Sequence, residues 1–206
     1  IHNRVQEVDP ETNEVVWEYD WWDHMVSYHE VHDADRLPSG ETVIIDMGNH
    51  RTFTVNQSGA VTWEWSAIEH LDNGTAFWDD HVAGTSRAEE PGPYDGTYQD
   101  WTHMNDADRL PNGNFLMSIR NFDVVVEVDP ETDDIVDVFG QPGDHGVIYE
   151  QHDPMYLPAS GNLLVADSEN DRIVEYDRAT GAEVWRYEGP RAGDALAWPR
   201  DADRLP

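Results

Sequence analysis

The sequence contains no cysteine and no lysine. Without cysteine there are no disulfides and no thiol chemistry, and the redox compartment stays open. Without lysine every basic residue is an arginine, and 12 of these stand against 43 acidic residues for a formal net charge of −31. So acidic a chain offers no basic face to phosphates, so nucleic acid is not an expected partner. No stretch approaches the ~20 apolar residues of a membrane-spanning helix. High charge can signal disorder, but nine Trp, eight Tyr and long Val/Ile/Leu runs point to a folded domain. An acidic, lysine-free surface suits molar salt, where the Debye length is only ~3 Å and self-repulsion is screened.

What the chain does have is internal repetition. Asp-Ala-Asp-Arg-Leu-Pro occurs at residues 33–38, 106–111 and 201–206, with Asp-Pro-Met-Tyr-Leu-Pro at 153–158. After the first two copies and after Pro158 come a glycine turn and an apolar run. Hairpins of alternating apolar and polar residues follow at 50–65, 123–139 and 171–187, and one more stands near the start at 3–20. Each full unit is four short antiparallel strands in roughly 35 residues, the pattern of a β-propeller blade. The expected fold is therefore all-β: a propeller of four-stranded antiparallel blades, spanning residues 1–206 as a single partial domain. Three units are complete. The start supplies two outer strands and the end one inner strand. The chain therefore reads as a piece of something longer, either an arc of a larger ring or a small ring completed by self-association. A long inter-blade insert, residues 67–102, carries His70, His81 and Trp78. A helical turn is expected at 66–71 and ordered loop beyond it, a stretch of over thirty residues that could fold over the channel.

Candidate functional residues come from the repeat register. His32, His103, His152 and Arg200 lie just upstream of successive first strands, which line the channel of a propeller. Arg120 ends a second strand, one place beyond the register where the other units carry Asp46 and Asp167. Three imidazoles with one or two guanidiniums suit a tetrahedral oxyanion, with one His free to act as nucleophile. Three His could instead hold a metal such as Zn, Cu or Fe, and polar residues before repeated strands also serve as turn caps. Asp33, Asp106, Asp153 and Asp201 recur in every unit and read as turn or inter-blade hydrogen-bonding residues. No specific role is expected for His2, His24, His50 or His145.

At these positions the sequence resembles a family. His-x-Asn-Asp-x-Asp-x-Leu-Pro-x-Gly-Asn-x-Leu-x-Ser-x-Arg-Asn at 103–121, and Gln-His-Asp-Pro-x-x-Leu-Pro with Gly-Asn-x-Leu-x-x-Asp at 151–167, resemble the aryl-sulfate sulfotransferases (arylsulfotransferases). The resemblance covers most of residues 29–177. It implies a six-bladed propeller that moves a sulfuryl group from an aryl sulfate to a phenol, without a nucleotide-sulfate donor, through a sulfohistidine. By motif, His152 is then the nucleophile, His103 and Arg120 bind the sulfuryl oxygens, and His32 is the remaining channel His. Arg200 would assist, Trp101, Trp198 or Tyr149 could stack on the aryl ring, and no metal or organic cofactor is implied. The chain departs from the family in having few blades and no cysteine. The alternative is a non-catalytic propeller, a binding or surface-interaction module. The expected location is extracytoplasmic or the cell surface of a high-salt organism.

Overall fold

The computed structural model describes residues 4–20, 30–93, 100–189 and 196–205. His2, His24 and the Trp-rich stretch 21–29 lie outside the described residues. Strands β1 (Arg4–Val8) and β2 (Val15–Asp20) form a two-stranded sheet. Blade 1 is β3 (Val31–Arg36), β4 (Thr42–Asp46), β5 (Arg51–Val55) and β6 (Val61–Ser66). Blade 2 is β7 (Met104–Arg109), β8 (Phe115–Ile119), β9 (Val124–Val128) and β10 (Ile135–Gly140). Blade 3 is β11 (His152–Leu157), β12 (Asn162–Asp167), β13 (Arg172–Tyr176) and β14 (Glu183–Tyr187). Each of these three is a four-stranded antiparallel meander in sequence order. Contacts run between β3 and β7 and between β7 and β11, so the first strands sit innermost and the blades radiate outward as in a propeller.

The burial pattern explains why the middle strands read as continuous apolar runs. Every residue of β4, β8, β9 and β13 is buried, and in β5 all but the half-buried Arg51 are. A middle strand is covered on both faces by adjacent blades, so alternation disappears there, as it does in other doubly covered sheets. The outer strands β6, β10 and β14 keep alternating or exposed residues. The hairpin β1–β2 lays Val5, Trp17 and Tyr19 on Ile44, Phe53 and Val55 of blade 1.

Residues 201–205 repeat the sequence of an inner strand but form none, because no second strand pairs with them among the described residues. The insert also departs from expectation. Its first turn is α1 (Ala67–Leu71), but beyond it the chain makes a π-helical turn at Trp78–Val82 and a 3-10 turn at Ser86–Glu89 rather than plain loop. These short turns bury Leu71, Phe77, Val82 and Arg87 against blade 2, which is what orders them.

Two local devices in each blade shape the channel mouth. The first strand is bulged where it begins, with register shifts between Val31 and Asp33, between Met104 and Asp106, and between His152 and Met155. A bulge places an extra residue against its partner strand and re-aims that side chain. His32 and Asn105 are the extra residues, which is why His32 lies within its strand rather than before it. The second strand ends in a 3-10 turn closed by a left-handed residue: His50 (φ 53°), Asp123 (φ 54°) or Asp171 (φ 52°). The first residue of these turns is Met47, Arg120 or Ser168, so these three occupy one structural position.

Candidate active site

The closing residues of those turns reach the next blade. Asp123 Oδ1 accepts from the Glu150 N–H at 2.9 Å, and Asp171 Oδ1 from the Trp198 N–H at 2.8 Å. His50 Nδ1 bonds Thr102 Oγ1 at 3.0 Å. His50, expected to be idle, is thus the blade 1 version of a repeated inter-blade tie. Glu150 (φ 47°) and Trp198 (φ 55°), held directly, and His103 (φ 44°), which follows the held Thr102, stand at one register and all take a left-handed backbone. Such a conformation costs free energy in a non-glycine residue and persists only where neighbours enforce it. The segment before His103 has an additional clamp from the insert. Arg87 donates to the Trp101 carbonyl at 2.8 Å, lies 4.3 Å over the Phe122 ring and pairs with Glu90. A lone arginine in an acidic insert was the available sign of that role.

These ties bring three imidazoles together. The ring centroids of His32 and His103 are 5.4 Å apart, and those of His32 and His152 are 6.5 Å apart. Arg200 Nη1 lies 3.4 Å from His152 Nε2. His152 is only 3% exposed, and its Nδ1 is 2.7 Å from Ser168 Oγ. Burial, and then the charges of Arg200 and Arg120, lower the His152 pKa to about 3. Partial desolvation by its neighbours, although the residue stays largely exposed, followed by the His103 charge, also lowers that of His32. Both rings are therefore neutral near pH 7, with lone pairs available.

The two expected anion-binding groups already have carboxylate partners. Arg120 pairs with Glu150 and donates to Asn121 Oδ1 at 2.8 Å, and His103 Nδ1 lies 2.6 Å from Asp100 Oδ2. An incoming oxyanion would compete with Glu150 for Arg120. Arg200 instead stacks 4.0 Å over the Trp198 ring, and no ion pair to it is found among the described residues.

The three aromatic candidates are placed differently. Trp101 is 6% exposed and meets His50 and Phe122 edge-on in the core, so it has no face free for a substrate ring. Trp198 is 49% exposed, with one face covered by Arg200. Tyr149 stacks on His145 with centroids 3.7 Å apart, and His145 Nε2 is 3.4 Å from Asp123. His145 is thereby another residue given no role from sequence that the structure engages. His70 stacks on Trp65, and His81 lies against Phe77. Both line a cleft of about 800 Å³ between the insert and β10, which shares no residue with the histidine group.

Sequence reasoning missed Asn105 and Ser168. Asn105 holds in blade 2 the position of His32, and its Nδ2 donates to the Gln151 carbonyl at 2.8 Å. Aligning the units on His50, Asp123 and Asp171 would have placed Ser168 in one column with Arg120. Among the described residues, no group of three or more His, Cys, Asp or Glu side chains is arranged to hold a metal ion. No described helix is long and apolar enough to cross a membrane.

Comparison with known proteins separates fold from family. No curated protein matches the chain. Among solved structures, a virginiamycin B lyase from Staphylococcus aureus with quinupristin superposes with a TM-score of 0.56 at 10% identity, over 92% of this chain and 50% of that one. The WD40 β-propeller domain of Doa1 gives 0.52 at 12% identity, over 85% and 45%. A streptogramin B lyase gives 0.50 at 11% identity, over 82% and 44%. At such identities the likeness is one of fold, and the chain spans about half the length of these proteins. The sequence profile of the arylsulfotransferases (ASST) matches residues 27–167, more than half of the 206 residues and inclusive of all three clustered histidines. The chain belongs to the arylsulfotransferase family.

Proposed function

We propose that the channel mouth carries out sulfuryl transfer from an aryl sulfate to a phenolic acceptor, with His152 as the nucleophile. The observation that carries this reading is the state of His152: a buried, neutral imidazole whose Nε2 faces Arg200 and whose neighbours are two further imidazoles. In the first step the Nε2 lone pair attacks sulfur, the N–S bond forms, and the S–O bond to the aryl group breaks. The aryl oxide leaves with the bonding pair. In the second step a phenol oxygen attacks the same sulfur, and the N–S pair returns to Nε2. The phenol proton ends on the departed aryl oxide or in solvent, so the sum is an exchange of aryl groups. Such a transfer asks the protein mainly for alignment and for charge opposite the equatorial oxygens. Arg200 supplies that charge at Nε2, and Arg120 joins it if the anion displaces Glu150. Trp198 offers an exposed ring for the aryl group.

The acidic, lysine-free surface is read as an adaptation to molar salt, so assays belong there. The test is intact mass after mixing with a nitrophenyl sulfate and no acceptor. Wild type should gain one sulfuryl group on His152, phenol should discharge it, and His152→Ala should neither gain mass nor release nitrophenol. Transfer persisting in His152→Ala would overturn the assignment.

A further inference from the structure

We propose that Ser168 is the positioning residue for His152, holding its imidazole in the Nδ1–H tautomer so that the Nε2 lone pair faces Arg200. This rests on the reading of His152 as nucleophile and adds the group that prepares it.

The argument is one of proton counting. Ser168 Oγ lies 2.7 Å from His152 Nδ1 and 2.6 Å from the Pro199 carbonyl oxygen. A hydroxyl has a single proton to donate, and a carbonyl has none. Two oxygens 2.6 Å apart need a hydrogen between them, so the Ser168 proton goes to Pro199. The lone pairs of Oγ then face His152 Nδ1, and that nitrogen must carry the ring hydrogen. On the other side of the ring, Arg200 Nη1 is 3.4 Å from Nε2, and a guanidinium can only donate. Two independent neighbours therefore specify the same tautomer.

The blade frame does not itself require a hydroxyl there. The same position is Met47 in blade 1 and Arg120 in blade 2, on the same 3-10 turn after the second strand. Ser168 is fully buried, so water does not compete for its bonds. The arrangement also matches the charge that the reaction creates. When Nε2 bonds sulfur the ring becomes cationic, and the Nδ1–H···Oγ hydrogen bond becomes charge-assisted and stronger. The ring hydrogen stays on Nδ1 throughout, so attack needs no base. Because Pro199 precedes Arg200, the same hydroxyl also fastens the segment that carries the facing guanidinium.

The experiment reads the tautomer directly, by ¹⁵N chemical shifts of the His152 ring in the folded chain near neutral pH, for wild type, Ser168→Ala and Ser168→Thr. Wild type should show a protonated Nδ1 and an unprotonated Nε2. Ser168→Ala should shift the ring toward the Nε2–H form, which is the more stable one for a free imidazole side chain, and Ser168→Thr should restore the wild-type pattern. In turnover, Ser168→Ala should lower kcat by about 10- to 100-fold, the loss found when the hydrogen-bond partner that orients a metal-ligating histidine is removed, with KM unchanged. A rise in KM with an unmoved tautomer would mean that Ser168 only fastens the Arg200 segment, and the proposal would fall. An Nε2–H ring in wild type, or an unchanged ring in Ser168→Ala, would also overturn it. Transfer that survives His152→Ala sinks the nucleophile itself, whereas an inactive His152→Ala beside a fully active Ser168→Ala sinks only the positioning role. The spectroscopic arm decides even where turnover is absent.

Discussion

Two of the junctions between successive repeats are fastened by one hydrogen bond, and the junction between them lacks it. Ala107 N–H donates to Asp33 Oδ2 at 3.4 Å, and Ala202 N–H to Asp153 Oδ2 at 2.9 Å. The recurring aspartate thus reaches the alanine of the next repeat. At Asp106 the next repeat has Pro154 in place of that alanine, and proline has no N–H to give. Asp106 Oδ2 accordingly has no hydrogen-bond partner among the described residues. The effect reaches the protons. Burial raises the Asp33 and Asp153 pKa values to about 6, held down by their N–H donors. Burial, then the Asp33 and Asp108 charges, push Asp106 well above the usual carboxylate range with no such donor to offset them. The repeated tie is missing next to His152, and the lesson is that the repeats depart from their common rule where the histidines gather.

If that is so, the exceptional junction should depend on its substitute tie, the Asn105 Nδ2 bond to the Gln151 carbonyl at 2.8 Å. Removing it leaves that carbonyl with a single long bond from Ser118 Oγ at 3.4 Å. Asn105→Ala should cost about 1–3 kcal/mol, the penalty of a buried group left unpaired. At this chain length that lowers Tm by roughly 2–4 °C for each kcal/mol. His32→Ala, at the same register but exposed, should stay within about 0.5 kcal/mol of wild type. Equal losses in thermal melts of the two variants would show that Asn105 is not a tie at all.

How much of this was legible before the structure follows the same division. The blades were legible because burial on both faces writes runs such as Val124–Val128, and glycine turns separate them. The histidines were legible because they precede a repeated hexapeptide. Pairings that cross between blades were not. Glu150 beside Arg120, His50 on Thr102 and Ser168 under His152 depend on how turns from separate units meet, and no periodicity encodes that. Trp101 misled because an aromatic beside a site residue looks like a binding face, while Arg87 and Phe122 draw it into the core. The length of the insert was visible in the sequence, and the burial of Leu71, Phe77 and Val82 in the core between the blades was not.

The intact junctions can be tested through pH. Asp33 has a folded pKa of about 6, against roughly 3.9 for an unfolded aspartate. Folding therefore favours the protonated acid. Its stabilising contribution is full below about pH 4 and is lost as pH rises through 6. Above that, the ionised group opposes folding. Asp33→Asn keeps an oxygen for the Ala107 N–H and cannot ionise, so at pH 8 it should be more stable than wild type by about 3 kcal/mol. The advantage should shrink to a few tenths of a kcal/mol by pH 4 and vanish near pH 3, where wild type is protonated in both states. Denaturant midpoints at the two pH values measure this, and an advantage independent of pH would refute the titration.

The smallest effect on stability carries the most pointed test of the comparison. Pro154→Ala would give the middle junction the N–H that the other two possess. The new bond to Asp106 is worth about 1 kcal/mol net, and losing a proline from the unfolded chain removes about 0.4–1 kcal/mol. Stability should therefore barely change, and a melting curve is the wrong readout. The carboxyl itself is the right one. In wild type the infrared carbonyl stretch of the Asp106 carboxylic acid, identified by its absence in Asp106→Asn, should persist to higher pH than that of an ordinary aspartate. In Pro154→Ala that band should weaken and its titration move toward that of Asp33. A band that stays put would mean that burial alone holds the proton and that the missing donor has no part in it. Loss of the band would tie the proton on Asp106 to one residue of the Gln-His-Asp-Pro segment, two positions from His152.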